Sequence, residues 1–191
     1  ASFTGDCIIR PQSKMQQSLF GDETPVTGEL TVLNTLVPYS DIIETLKTFP
    51  EVEAFTGQVS GAVMAERSDG ANRIVSYLFG VNAQDYLSLM KSIKIINGAP
   101  FEEGQRGVML CKQVAQKLDV TVGSMVQFVV ADGPNFRIRA ATVTAIFEYD
   151  IYNEKWSETF IININYNDKK LQSWHLDVIK TNKGYEAIIV A

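Results

Sequence analysis

The stretch from Gly104 to Phe128 constrains this chain more than any other. An apolar run at Val108 to Cys111 leads into a segment whose Val114, Ala115 and Leu118 share one helical face. Asp119 to Ser124 then turns the chain, and Met125 to Val130 is apolar again. The order predicts strand, helix, tight turn and strand. Gly123 stands where the chain must reverse, and a positive φ costs glycine little. None of the side chains in this unit is an evident nucleophile, base or metal ligand, so on its residues alone it is a structural module.

The chain ahead of this unit reads as strands and short helices. Asp6 to Arg10 is a short strand. Pro11 to Gly28 is polar and punctuated by Gly21, Pro25 and Gly28, as in a mobile loop or an insertion, and Glu29 to Leu33 forms a second strand. A helix capped by Ser40 or Asp41 carries Ile42, Ile43, Leu46 and Phe49 as its buried stripe and ends at Pro50. Val52 to Glu66 is long for one strand and puts Val59, Gly61, Val63 and Ala65 on one face, which predicts a bend near Gly57 or Gly61. Asp69-Gly70 turns the chain into a partner strand, Arg73 to Val81. Asn82 caps a helix that runs through Tyr86, Leu87, Met90 and Ile93 until Gly98 stops it.

Beyond the unit, Asp132 to Asn135 is a turn, and Phe136 to Phe147 returns with a defect in its alternation. Phe136, Ile138 and Ala140 are apolar at even positions, whereas Ala141, Val143, Ala145 and Phe147 are apolar at odd ones. A strict period of two would put one set in water, so a β-bulge or a bend between sheets is expected at Ala140–Ala141. Thr159 to Asn165 is a strand, Asn167-Asp168 opens a short helix through Leu171, and Trp174 to Lys180 with Tyr185 to Val190 forms a last hairpin. The class is α+β, rich in strands, with three or four short helices.

The order and spacing of these junctions resemble a known family. Thr4-Gly5-Asp6-Cys7-Ile8-Ile9-Arg10, Phe49-Pro50-Glu51-Val52-Glu53-Ala54, Phe79-Gly80-Val81-Asn82, Asn97-Gly98-Ala99-Pro100-Phe101, the Gly104 to Phe128 unit and the late strand Val143 to Phe147 are similar to the extracytoplasmic core domain of MacB-like and LolC/LolE-like permeases, the FtsX-like class of ABC transporters. The resemblance implies a two-lobed domain: a Porter-like lobe of residues 1–81 and 148–191, and an inserted Sabre-like lobe of 82–147. It also implies a non-enzymatic role outside the cytoplasmic membrane, periplasmic in a Gram-negative source. ATP hydrolysis is expected in a separate cytoplasmic subunit or domain. The implied partners are that ATPase, a second permease copy and an extracytoplasmic protein or lipoprotein substrate, with membrane attachment through helices outside this stretch.

Composition and chemistry narrow the remaining choices. Against 22 acidic residues stand 17 basic ones, a formal charge of −5 with no basic block, which disfavours nucleic acid and anionic lipid. No apolar run approaches the ~18 residues of a membrane helix. The start at Ala1-Ser2-Phe3, without methionine, is expected of an excised domain, and also fits a secreted protein after signal removal. Cys7 and Cys111 lie in apolar runs and are expected to be buried free thiols rather than a bridge.

The single His175 excludes any mechanism that needs two histidines, and Gln58 and Ala62 occupy the glycine positions a serine elbow around Ser60 requires. Gly98 to Gly107 lacks the Gly-Lys-Ser/Thr of a phosphate cradle. Asp150, Glu154 and Glu158, and the alternating Asn163, Asn165 and Asn167, lack calcium-loop spacing and read as solvated faces. No cofactor or metal is expected. Glu148 to Glu158 combines Tyr149, Tyr152 and Trp156 with four acidic residues, as packed aromatics on their own lobe or as a partner contact. Two readings remain: a permease domain that transmits ATP-driven movement, and a free-standing extracytoplasmic module that holds a small molecule or peptide in a cleft.

Overall fold

A computed structural model describes residues 7–9, 17–18, 21–22, 39–102, 104–132, 135–150, 159–163 and 186–190. Strand β1 is Cys7–Ile9, and the two-residue strands β2 (Gln17–Ser18) and β3 (Gly21–Asp22) pair with one another inside the stretch read as a loop. Helix α1 is Tyr39–Leu46. The expected strand at 29–33, the helix at 167–171 and the strand at 174–180 lie outside the described residues.

Strand β4 (Ala54–Arg67) is the spine. It pairs antiparallel with β5 (Arg73–Val81) from Gln58↔Val81 to Glu66↔Arg73. The turn between them is held by Gly70 N donating to Arg67 O at 2.7 Å and Arg67 N donating to Asn72 O at 3.0 Å. Along its other edge β4 changes partners. The strand β11 (Glu186–Val190) pairs with residues 54–58, and β8 (Met125–Asp132) pairs with residues 64–67.

The pairings close a ring of six strands. Strand β10 (Thr159–Asn163) runs parallel to β5 and antiparallel to β7 (Gly107–Cys111). In turn β7 runs parallel to β9 (Asn135–Tyr149), β9 forms a hairpin with β8, and β8 returns to β4. Closure gives each strand of the ring a neighbour on both sides, although among the described residues 73–76 of β5 and 135–141 of β9 pair along one edge only. Two extensions leave it. β11 carries β1 beyond the first half of β4, and β6 (Ile93–Gly98) pairs with the last third of β9.

Alternation explains the core. Val63 and Ala65 of β4, Val126 and Phe128 of β8, and Ala141, Val143, Ala145 and Phe147 of β9 are buried at every second position, as a strand with one inner face requires. Strand β7 is buried throughout. Phe128 meets Phe160 edge to face at 5.2 Å, the geometry that aromatic quadrupoles favour.

The opening unit folds as its residues indicate. Helix α3 (Lys112–Leu118) follows β7 directly and buries Val114, Ala115 and Leu118. Its C-terminus is tied to the β4–β5 turn by Asn72 Nδ2 donating to Leu118 O at 3.1 Å. Because β7 and β4 stand on opposite sides of the ring, α3 crosses its mouth. Gly123 has φ +91° and donates its N–H to Val143 O at 2.8 Å, which seats the turn on β9.

Four expectations are corrected. The β8–β9 ladder runs unbroken from Asp132↔Asn135 to Met125↔Thr142, so no bulge falls at Ala140–Ala141. The odd positions already face inward there, Ile138 stands 56 % exposed, and the extra residue is Thr144, opposite the Val108–Met109 step of β7. Helix α1 begins at Tyr39, so Ser40 and Asp41 lie in its first turn rather than ahead of it. It ends at Leu46, after which tight turns (Thr48 N to Thr45 O, Phe49 N to Leu46 O) rotate Phe49 out of the stripe to 50 % exposure. Helix α2 (Ala83–Leu89) is capped by Asn82 as expected, with Oδ1 accepting from Asp85 N at 3.2 Å. It stops at Met90, however, and Ile93–Gly98 is strand β6, because β-branched isoleucines beside an open edge of β9 gain a ladder.

Candidate functional site

The acidic and aromatic segment begins at the end of β9, where Tyr149 pairs with Ile93 of β6. Tyr149 is half-buried, and its ring meets Phe147 edge-on at 5.3 Å, which joins it to the core. The neighbouring acids are engaged by lysines from other elements. Asp150 Oδ1 lies 2.5 Å from Lys94 Nζ, while its N–H donates to Ser92 O at 2.9 Å. Glu148 Oε2 lies 3.7 Å from Lys112 Nζ, at the start of α3. The hydrogen bond that Lys94 donates to Asp150, with further attraction from Glu148, holds Lys94 above its ordinary pKa. The end of β9, β6 and α3 are therefore joined by charge as well as by ladder. Tyr152, Trp156, Glu154 and Glu158 lie outside the described residues.

Two clefts flank this corner. One of about 300 Å³ lies between α3 and the β6–β9 ladder, with Ile96, Ala115, Val120 and Ile146 as apolar lining and Lys112 and Asp119 among its polar residues. The other, about 380 Å³, lies between α2 and the segment after β6, lined by Leu87, Pro100, Phe101, Asn82, Gln84 and Glu102. Both combine apolar and polar lining, as small-ligand sites do. Sequence reasoning missed them because β6 was read as helix, and only the β6 strand brings Ile96 beside α3 and Pro100 beside α2.

The other chemical candidates resolve into structure. Cys111 is buried and unbridged, its Sγ donates to Gln113 Oε1 at 2.9 Å, and burial pushes its thiol up to about 11, far from a nucleophile's range. Cys7 stands in β1 opposite Ile189. Ser60 sits within β4 opposite Phe79, inside a continuous ladder rather than on an elbow. His175 lies outside the described residues. Among the described residues, no three His, Cys, Asp or Glu side chains converge as metal ligands, and no helix is long and apolar enough to cross a membrane.

A mixed sheet with a few short helices, whose polar groups join elements to one another, defines an α+β domain that presents surfaces and clefts. Residues 2–184 match the MacB-like periplasmic core domain, and the chain belongs to that family. It is an extracytoplasmic domain of a MacB-like ABC transporter permease.

Solved structures share the fold. The extracellular domain of the noncanonical ABC-type transporter YknZ from Gram-positive bacteria aligns with TM-score 0.53 at 16 % identity, over 78 % of this chain and 70 % of that one. A domain of a putative permease from Porphyromonas gingivalis aligns with TM-score 0.54 at 13 % identity, over 78 % and 66 %. The periplasmic region of MacB from Actinobacillus actinomycetemcomitans aligns with TM-score 0.50 at 14 % identity, over 78 % and 62 %. No curated protein matches the chain.

Proposed function

We propose that the domain couples ATP-driven movement of the permease's membrane part to the handling of a substrate or partner outside, as in lipoprotein release or MacB-like efflux and mechanotransmission. The observation that carries this is the continuity of β4. Its first residues hold β11, which holds β1, and the same 14-residue strand then continues into the ring. At ~3.3 Å per residue, one strand carries a displacement over about 45 Å. A closed ring gives way little, since shearing one strand breaks ladders on both of its edges.

Within this reading, residues 1–81 and 148–191 form the lobe that receives the movement and 82–147 the inserted lobe. Hydrolysis takes place in a separate ATPase, and a second permease copy completes the transporter. Tyr149, Tyr152 and Trp156 mark the contact for an extracytoplasmic partner, because tyrosine and tryptophan supply apolar area with little entropy to lose and the nearby acids select a basic partner. The clefts beside α2 and α3 favour a second reading, a module that captures a small molecule or peptide.

The test uses the full transporter in proteoliposomes with Tyr152 and Trp156 both replaced by alanine. Transport or partner capture is expected to be lost while ATP hydrolysis persists and the domain melts as the wild type does. A large fall in melting temperature instead marks the two as core and ends the contact assignment. Calorimetry on the 191-residue chain is expected to find no nucleotide binding, and saturable micromolar binding would place ATP chemistry here after all.

A further inference from the structure

The cleft between α3 and the β6–β9 ladder has an apolar floor and an opposite charge at each end. Lys112, Ala115, Gln116 and Asp119 recur at helical spacing, so one side of α3 and its C-cap form one wall. Lys112 and Asp119 stand seven positions apart, about 10 Å at ~1.5 Å per residue. The floor comes from β6 and β9. Ile95 pairs with Phe147 and Asn97 with Ile146, so Ile96 is an extra residue in β6, and such a bulge re-aims a side chain. Ile96 lines the cleft beside Ile146 and is 45 % exposed, apolar surface left open inside a concavity.

The two end charges keep bonding capacity. Asp119 Oδ2 accepts from Arg67 Nη1 at 2.6 Å, but the same guanidinium also pairs with Asp69, so two carboxylates share one arginine and a negative charge is left over within the trio. Lys112 Nζ lies 3.7 Å from Glu148 Oε2, beyond hydrogen-bond distance, so among the described residues its N–H donors remain available. Between the ends, the Asn97 and Gln116 carboxamides each carry donors and an acceptor, the complement of a peptide group.

We propose that this cleft binds a free tripeptide with an apolar middle residue, its ammonium at Asp119, its carboxylate at Lys112 and its central side chain on Ile96 and Ile146. Three extended residues span about 10 Å at ~3.3–3.6 Å each, which matches the separation of the charges. The cleft's volume, about 300 Å³, stands at the small end for ligand sites and suits a short chain rather than a long one. Glu148 opposes the carboxylate at the lysine end and so limits affinity. The proposal rests on the role of the domain as a module that captures a small molecule or peptide, and it is independent of the coupling role.

The test is amide NMR titration of the 191-residue chain with Ala-Leu-Ala, with its acetylated and amidated form, and with ω-aminooctanoate. The free peptide is expected to give saturating shifts at Ile96, Asn97 and residues 112–120, with Kd below about 1 mM. The capped form is expected to bind about three- to tenfold more weakly. Asp119→Asn, which tolerates the left-handed φ of 54° there, is expected to weaken the free peptide by a similar factor. Glu148→Gln is expected to tighten it, a gain that a merely structural role does not produce. Equal binding of free and capped peptide overturns the proposal, as does unchanged affinity in Glu148→Gln or ω-aminooctanoate binding as tightly as the peptide. In each of these cases the capture role survives. It fails only if none of the three probes shifts the residues lining either cleft, which overturns the proposal with it. If Asp119→Asn does not fold, Lys112→Gln is measured in its place against the same criteria.

Discussion

Arg67 and Asp119, 52 positions apart, are joined by Nη1 to Oδ2 at 2.6 Å, and the same Nη1 donates to the Asp119 carbonyl at 3.2 Å. Asp119 ends α3 in the left-handed region, φ 54°, a conformation aspartate tolerates better than most residues. The guanidinium thus links the β4–β5 turn to the end of the helix that crosses the ring's mouth. Both side chains reach solvent, where an ion pair contributes little stability by itself, so the value of this link is positional. Arg67→Met is expected to melt close to the wild type but to exchange amide hydrogens faster over 118–124. Unchanged exchange there shows that the Asn72 bond to Leu118 suffices.

The same arginine governs an acid transition. Its Nε and Nη2 hydrogen bonds, together with the Ala71 N–H, hold the Asp69 carboxyl at about 2, below the usual 3.8. A folded-state value below the unfolded one means that this group stabilises the fold above about 3.8, and that the contribution is lost as pH falls through about 2. Carboxyl carbon NMR is expected to show Asp69 titrating near 2 in the wild type and at higher pH in Arg67→Met. Identical midpoints in the two proteins contradict the assignment.

Gly123 and Gly98 share a positive φ, +91° and +77°, but differ in surroundings. A Cβ at Gly123 meets nothing within 4 Å, whereas at Gly98 it runs into the Thr144 carbonyl. Gly123→Val is expected to destabilise by about 1–3 kcal/mol, the cost of backbone strain alone. Gly98→Ala adds a clash with main chain at the β6–β9 ladder and is expected to melt lower than Gly123→Ala. The reverse order in thermal melts shows that β6 can shift to make room.

What could be read from residues was what neighbours in sequence decide. Asn82 caps α2 through a bond to Asp85, three positions on, and Val114, Ala115 and Leu118 bury one face of α3, because the groups concerned lie within a turn of one another. The misreadings arose where distant strands decide. Tyr86, Leu87, Met90 and Ile93 match a helical stripe, yet Ile93 belongs to a strand that exists only because β9 offers an edge. The mismatch of apolar parity along β9 was visible, but that it is met by leaving Ile138 outside, with the extra residue falling at Thr144 opposite β7, was not, and the closure of β4 on β8 leaves no local mark. At the candidate contact Tyr149 was legible as an aromatic. Its anchoring on Phe147, and the lysines that engage Glu148 and Asp150, were not, since Lys94 and Lys112 arrive from two other elements.

Cys111 closes β7 and precedes α3, with its side chain inside the core. Thiolate is the reactive form, and burial, the largest influence on this thiol, pushes it up to about 11, with Glu148 adding to the shift. At pH 8 the native thiol is therefore both covered and protonated. Iodoacetamide followed by peptide mass spectrometry is expected to leave Cys111 unmodified under native conditions and to modify it fully in denaturant. The labelling rate should then follow the opening of the β7–α3 unit. Leu118→Ala, which empties a fully buried position on α3, should raise that rate as it lowers stability by about 2–5 kcal/mol. Rapid native labelling in the wild type, with no response to Leu118→Ala, shows instead that β7 frays independently of the helix that covers the ring.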